Sequence, residues 1–146
     1  MDVEEQARLI LVIEDQRDHL EVIERVFAQS QVSCQIEAIA STADGLAYLR
    51  RHGEYAHATR PDIILIDIGR LETEGEQFIS AIKTDSQLRR IPTIVLTRLG
   101  DDDDILKSYQ AHCNSYIIKP SDLNQLGEVV RSIESFWLNI VTLPVE

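Results

Sequence analysis

Positive charge is scarce in this chain. Its 14 lysine and arginine residues stand against 25 aspartate and glutamate residues, which gives a net charge of −11. No lysine- or arginine-rich run offsets this deficit, and contact with a phosphate backbone needs a basic surface. The composition therefore argues against direct binding of DNA or RNA.

Long apolar segments and cysteines are also few. No apolar stretch approaches the roughly 20 residues that cross a bilayer, and residues 1–7 are acidic and polar, unlike a secretory signal. Cys34 and Cys113 have no histidine or cysteine at metal-ligand spacing, so buried, inert thiols in a reducing compartment are expected. We predict a cytoplasmic protein without a membrane segment.

The chain does contain four short apolar runs that each end in polar residues. The runs are rich in β-branched residues, as are strands of a parallel sheet covered on both faces. A weaker alternation over residues 33–39 predicts a further strand at an edge of the sheet. Residues 9–13 end at Glu14 and Asp15, residues 63–66 at Asp67, residues 93–96 at Thr97, and residues 116–118 at Lys119.

Amphipathic segments separate these runs and predict five helices. Five strands alternating with five helices predict an α/β fold, a doubly wound five-stranded parallel sheet of flavodoxin-like order 2-1-3-4-5. One domain is expected over residues 1–146, with a core at about 7–138 and a C-terminal extension at 139–146. The helices are predicted at about residues 15–29, 41–51, 76–84, 101–111 and from 122 to at least 137.

Two local details of these helices are also predicted. The second helix should turn Ala43, Leu46, Ala47 and Leu49 toward the core, and a turn containing Gly69 and Gly75 should precede the third. Acids at residues 101–104 suit the first turn of the fourth helix, where they favour the helix dipole, and lack the spacing of a calcium loop. The histidines share no spacing and are expected at the surface: His19, His52, His57 and His112.

The polar strand ends predict a functional site. If the strands are parallel, three carboxylates, a hydroxyl and an ammonium group converge at the carboxyl ends of the sheet, where open α/β folds bind their ligands. A single aspartate after a strand is usually a turn or cap residue. The convergence of several such residues in register makes a chemical role for Asp67 the better interpretation.

This arrangement resembles the receiver domains of two-component response regulators. The resemblance is carried by Glu14-Asp15, Asp67, Gly75 eight residues further on, Thr97, Tyr116 and Lys119-Pro120, in that order at the ends of the corresponding strands. Residues 104–109, 114–117 and 134–138 are most similar to the single-domain regulators paired with phytochrome-type histidine kinases.

The resemblance implies a phosphorylation site. Asp67 would be the phosphoacceptor for a histidine kinase, and Thr97 and Lys119 would contact the phosphoryl oxygens. Mg²⁺, which prefers octahedral oxygen ligands, would be held by Asp15, Asp67 and the carbonyl of Gly69, with Glu14 acting through water. Thr97 and Tyr116 would form a switch, the output would be protein binding, and the chain would be neither an enzyme nor joined to an effector domain.

Two residues depart from the family pattern. Leu71 stands where the family usually has a proline, which predicts a looser loop after Asp67. Arg98 replaces the usual small residue at the entry to the site. We predict that Arg98 sets the lifetime of the phosphorylated state, since its guanidinium would border the phosphoryl group and the path of the attacking water.

Two other functional classes stay open. The chain could be a pseudo-receiver that acts as a constitutive protein-binding module, although Asp67 and Lys119 are intact. It could also be a phosphatase with an aspartyl intermediate, but the acid-base aspartate that such enzymes usually carry two residues after the nucleophile is Gly69 here. Labelling by a small phosphodonor with Mg²⁺ separates the receiver from the pseudo-receiver.

The C-terminal part predicts self-association. The fifth helix carries more apolar residues than one stripe against the sheet requires, and the chain continues through further apolar residues. We predict a homodimer through the face of the fourth helix, fifth strand and fifth helix together with the extension at 139–146. The alternative is that the extension folds back onto its own domain.

Overall fold

The structure, a computed structural model, describes residues 7–67, 73–97 and 115–140. It has one parallel sheet of five strands in the order β2-β1-β3-β4-β5. This confirms the predicted doubly wound fold and the edge position of the second strand. The strands are β1 Arg8–Glu14, β2 Cys34–Ile39, β3 Ile63–Asp67, β4 Thr93–Thr97 and β5 Ser115–Ile118.

Four α-helices lie in the described residues. They are α1 Arg17–Ala28, α2 Thr42–Arg50, α3 Thr73–Thr84 and α4 Leu123–Glu134, and a short 3-10 turn spans Gly53–Tyr55. The helix labelled α4 is the fifth of the predicted helices, because the predicted fourth helix lies outside the described residues. After α4 the chain continues as a π-helical turn, Ser135–Ile140. No helix of this described part is long and apolar enough to cross a membrane.

Both faces of the sheet are buried, as the apolar runs predicted. Successive side chains of a strand point to opposite faces, so alternate residues of β1, β3 and β4 enter different clusters. One cluster packs under α1 and α4, and the other under α2 and α3. The first includes Ile10, Val12, Ile23, Leu65, Leu96 and Val130, and the second includes Leu11, Ile13, Tyr48, Ile64, Phe78 and Val95.

The predicted face of α2 was partly wrong. Leu49 is buried as expected, but Ala43 is exposed, while Gly45 and Tyr48 are buried. The reason is a close approach of α2 to the sheet: a methyl group built on Gly45 would overlap Ile13 Cδ1. The absence of a side chain at Gly45, and not the alanine spacing, sets which stripe of α2 meets the core.

The start of α3 also differs from the prediction. The helix begins at Thr73 and not near residue 76. Gly75 is therefore a buried residue of the first helical turn and does not belong to a loop before the helix. Glycine marks turns in a sequence, but a helix tolerates it at a cost of about 1 kcal/mol relative to alanine. Gly69, the other glycine of the predicted turn, lies outside the described residues.

Candidate functional site

The strand register brings the predicted site residues to one edge of the sheet. Glu14, the last residue of β1, pairs directly with Asp67, the last residue of β3. On the other side of β3, Thr97 ends β4 and pairs with Ile118 of β5, which Lys119 follows. The carboxyl ends of four adjacent strands therefore carry the residues that the sequence predicted to converge.

Strand alternation decides which face each acid meets. In β1 and β3, the residues two before Glu14 and two before Asp67 are Val12 and Leu65, and both belong to the cluster under α1 and α4. Glu14 and Asp67 are accordingly buried, at 4% and 3% exposure, on that side of the sheet. Asp15, the next residue along, is exposed.

Lys119 joins the two buried carboxylates. Its Nζ donates to Glu14 Oε1 at 2.8 Å and forms an ion pair with Asp67 Oδ2. The lysine side chain is 1% exposed. The second oxygen of Glu14 accepts from the backbone N–H of Gln16 at 3.0 Å, which fixes the carboxylate against the start of α1.

The electrostatics of this cluster are those of a functional site. Burial lowers the pKa of Lys119, while the hydrogen bond and charge of Glu14 and the charge of Asp15 act in the opposite direction. Taking such charges out of water costs free energy that their mutual attraction need not recover. Because such an arrangement adds little stability, a cluster of buried ionisable groups with shifted pKa values indicates a functional site.

His19 is a member of this cluster that the sequence prediction placed at the surface. It is 3% exposed, and one ligand atom from each of Glu14, His19 and Asp67 lies within 4.8 Å of the other two. The surface prediction was therefore wrong for His19, whereas His52 and His57 are exposed as predicted; His112 lies outside the described residues.

The spacing of α1 held the signal that was missed. Its buried stripe is His19, Val22, Ile23, Val26 and Phe27, so the histidine precedes two apolar residues by three and four positions. Residues at that spacing share one face of a helix. His19 is thus the first member of the stripe, at the end that reaches the carboxyl edge of the sheet.

The structure describes several of the predicted site residues only in part or not at all. Thr97 ends β4 and Tyr116 lies in β5, but the structure does not describe their side chains. The predicted metal ligand Gly69, the departures Leu71 and Arg98, Cys113 and the acids at 101–104 fall outside the described residues. Their predicted roles stay predictions.

Comparison with known sequences agrees with the geometry. Residues 10–131 match the family described as response regulator receiver domain. Response regulator Rcp1 of Synechocystis sp. (strain PCC 6803) is 34% identical over 137 residues, which are 94% of this chain and 93% of that protein. The probable methanogenesis regulatory protein FilR2 of Methanothrix harundinacea is 35% identical over 130 residues, covering 89% of this chain and 83% of its own length.

Solved structures show the same likeness. The phosphorylated cyanobacterial phytochrome response regulator RcpA matches with a TM-score of 0.90 and 38% identity, over 96% of this chain and 100% of that one. The Mn²⁺-bound form of Rcp1 matches with a TM-score of 0.89 and 34% identity, over 94% and 99% of the two chains.

Proposed function

We propose that this chain, which belongs to the response regulator receiver family, accepts a phosphoryl group on Asp67 from a histidine kinase of a two-component system. The observation that carries the proposal is the buried contact of Asp67 with Lys119 at the carboxyl ends of β3 and β5. A carboxylate held against a cation in this position suits phosphoryl transfer, which depends on alignment and on neutralising the phosphoryl oxygens.

The transfer step conserves atoms and charge. A carboxylate oxygen of Asp67 forms a bond to phosphorus while the phosphorus–nitrogen bond of the kinase phosphohistidine breaks, and the imidazole leaves with the electron pair. Lys119 neutralises charge on the phosphoryl oxygens, and the Thr97 hydroxyl would donate to one of them, as the family resemblance implies. Water later attacks the phosphorus, the bond between phosphorus and the Asp67 oxygen breaks, and inorganic phosphate leaves as the carboxylate is restored.

The donor set around Asp67 fits a divalent cation. Glu14 and Asp67 supply buried carboxylate oxygens on adjacent strands, and with Lys119 they leave one net negative charge beside the charge of exposed Asp15. Asp15, Asp67 and the Gly69 carbonyl, with Glu14 through water, are the residues that would hold Mg²⁺. When bound, the ion would reduce the repulsion between the carboxylate nucleophile and the anionic phosphoryl group.

Partner and output follow from the family and its relatives. The matches to RcpA, described as a phytochrome response regulator, and to Rcp1 support a phytochrome-type histidine kinase as the partner. We infer that the chain works in the cytoplasm as a non-enzymatic module, that the Thr97–Tyr116 switch alters a protein-binding face, and that the chain forms a homodimer. Direct binding of nucleic acid is not expected, given the net charge of −11.

Phosphotransfer tests this proposal directly. The purified chain is incubated with Mg²⁺ and acetyl phosphate, and separately with a phosphorylated phytochrome-type histidine kinase, and the intact mass is followed with time. A single phosphoryl adduct that EDTA prevents is the expected result. Absence of any adduct with either donor would contradict the receiver function and support the pseudo-receiver.

A further inference from the structure

His19 has a place in the site that the proposed phosphotransfer does not use. It is buried on the first turns of α1 and contributes one ligand atom to the cluster with Glu14 and Asp67, in which all three atoms lie within 4.8 Å of one another. The cluster therefore offers an imidazole nitrogen as well as carboxylate oxygens.

The separations suit ligands of one metal ion. Around an octahedral ion with bonds of about 2.1 Å, ligand atoms stand about 3.0 Å apart when adjacent and about 4.2 Å apart when opposite. Separations within 4.8 Å need only small side-chain movements to reach these values. Each donor also starts from a fixed element, Glu14 and Asp67 from paired strands and His19 from the buried stripe of α1.

Glu14 keeps capacity for an ion despite its present partners. Glu14 already accepts from Lys119 Nζ and from the Gln16 N–H. A carboxylate has about four acceptor sites on its two oxygens. One ammonium and one amide therefore leave room on Glu14 for a contact with an ion, directly or through water.

Imidazole and carboxylate ligands discriminate between ions. Mg²⁺ prefers oxygen ligands and water, whereas first-row transition-metal ions also accept imidazole nitrogen, with an affinity that rises from Mn²⁺ through Co²⁺ to Ni²⁺. We propose that His19 is a direct ligand for transition-metal ions in this site, so that Mn²⁺, Co²⁺ or Ni²⁺ bind through one imidazole nitrogen together with the carboxylates. The inference rests on the proposed function, because the cation site is the one that would serve Asp67.

Pulsed EPR of bound Mn²⁺ tests the ligand itself. The chain is prepared without a histidine tag, loaded with a substoichiometric amount of Mn²⁺, and its electron spin echo modulation is recorded. A modulation from a directly bound nitrogen is expected in the wild type, changed in form when histidine is labelled with ¹⁵N, and lost in His19→Gln. The exposed His52→Gln is the matched control and should keep the signal.

Two results would overturn the proposal. A wild-type spectrum without bound nitrogen excludes any histidine ligand to Mn²⁺ and contradicts the proposal, and this holds whether or not the His19 variant folds. A nitrogen signal that persists in His19→Gln assigns the ligand to another residue. Labelling of Asp67 by acetyl phosphate is measured on the same samples with Mg²⁺, so loss of the phosphotransfer function and loss of the nitrogen ligand are separate outcomes.

Ion affinity gives an independent measurement. Calorimetric titration should show that His19→Gln lowers Ni²⁺ affinity by about tenfold or more, the scale seen when partners of a metal site are removed. Mg²⁺ affinity should change by much less, because Mg²⁺ would not use the imidazole. Equal losses for both ions would contradict a selective nitrogen ligand and indicate that the variant disturbs the whole site.

Discussion

At the scale of the residue, the main feature is a set of ionisable side chains without access to water. Glu14, Asp67 and Lys119 are each at most 4% exposed, although the chain has ample surface for charged groups. Such an arrangement contributes little stability and is retained where chemistry needs it. Asp15, His52 and His57 are exposed, whereas His19 and Glu134 are further buried ionisable side chains, at 3% and 9% exposure.

Cys34 gives a pH-dependent prediction at the same scale. Burial raises the pKa of its thiol above the ordinary value of 9.0, and the nearby Glu134 charge acts in the same direction, whereas the Ser30 hydroxyl lowers it. Since the thiolate is the nucleophile, alkylation at about pH 8 should be severalfold slower than for an exposed cysteine, and the rate should still be increasing with pH at 9.0 and above.

The measurement uses iodoacetamide on a Cys113→Ser chain, so that Cys34 is the only thiol. The same chain in denaturant is the control and should react faster at the same pH. Equal rates in the native and denatured chains would show that the partly buried position of Cys34 does not protect it.

At the residue scale, the sequence correctly predicted the positions of side chains that lie at the carboxyl ends of strands. Glu14, Asp67 and Lys119 meet because each ends or follows a strand whose apolar run is evident in the sequence. His19 was missed because the histidines were compared with one another and not with the apolar stripe of α1. The opposite exposures of Glu14 and Asp15 follow from strand alternation, which fixes direction only once the two faces of the sheet are known.

At the scale of the element, replacing each of two helical glycines by alanine is expected to have opposite effects on stability. A methyl group on Gly45 would overlap Ile13 Cδ1 and lie 3.2 Å from Phe78 Cε1, whereas one on Gly127 would meet only Val22 Cγ1 at 3.7 Å. Overpacking a dense core costs about 1–3 kcal/mol, and replacing a helical glycine by alanine contributes about 1 kcal/mol.

We therefore expect Gly45→Ala to lower the free energy of unfolding by about 1 kcal/mol. Gly127→Ala should raise it by about 0.5–1 kcal/mol, since ordinary contact leaves the helix propensity as the main effect. Urea unfolding of both variants and the wild type measures the difference. A stabilising Gly45→Ala would refute the close packing of α2 on the sheet.

These glycines also show why helix faces were harder to predict than helix positions. Alternation of apolar runs and amphipathic segments located α1, α2 and α4 to within a few residues. The face of α2 depends on how near its backbone approaches Ile13 and Phe78, a distance set by packing between elements. The spacing of apolar residues within residues 42–50 does not determine that distance.

At the scale of the whole molecule, the exposed large apolar side chains of the described residues lie in the last part of the chain. Among the described residues, the large apolar side chains that are clearly exposed are Ile118 at 54%, Leu123 at 39% and Phe136 at 48%. Trp137 and Leu138 instead pack partly on the cluster under α1 and α4. Residues 115–140 thus both complete the core and leave apolar side chains exposed.

This distribution supports the predicted homodimer and gives it a test. Sedimentation should show a dimer at tens of micromolar for the wild type, and a weaker dimer for Phe136→Glu and for a chain ending after Ser135, because apolar contact area is lost. Ala43→Glu, an exposed change on α2, is the control and should leave the dimer intact. A monomeric wild type, with and without a phosphoryl mimic, would contradict the proposal.

Location of the phosphoryl group is the most direct test of the proposed function. The chain is phosphorylated by acetyl phosphate with Mg²⁺, reduced with borohydride to convert an aspartyl phosphate into homoserine, digested and sequenced by mass spectrometry. The proposed function predicts homoserine at position 67 in the wild type and in the control Asp44→Asn, an exposed acid on α2, with none in Asp67→Asn. Homoserine at another position, or undiminished phosphorylation of Asp67→Asn, would contradict it.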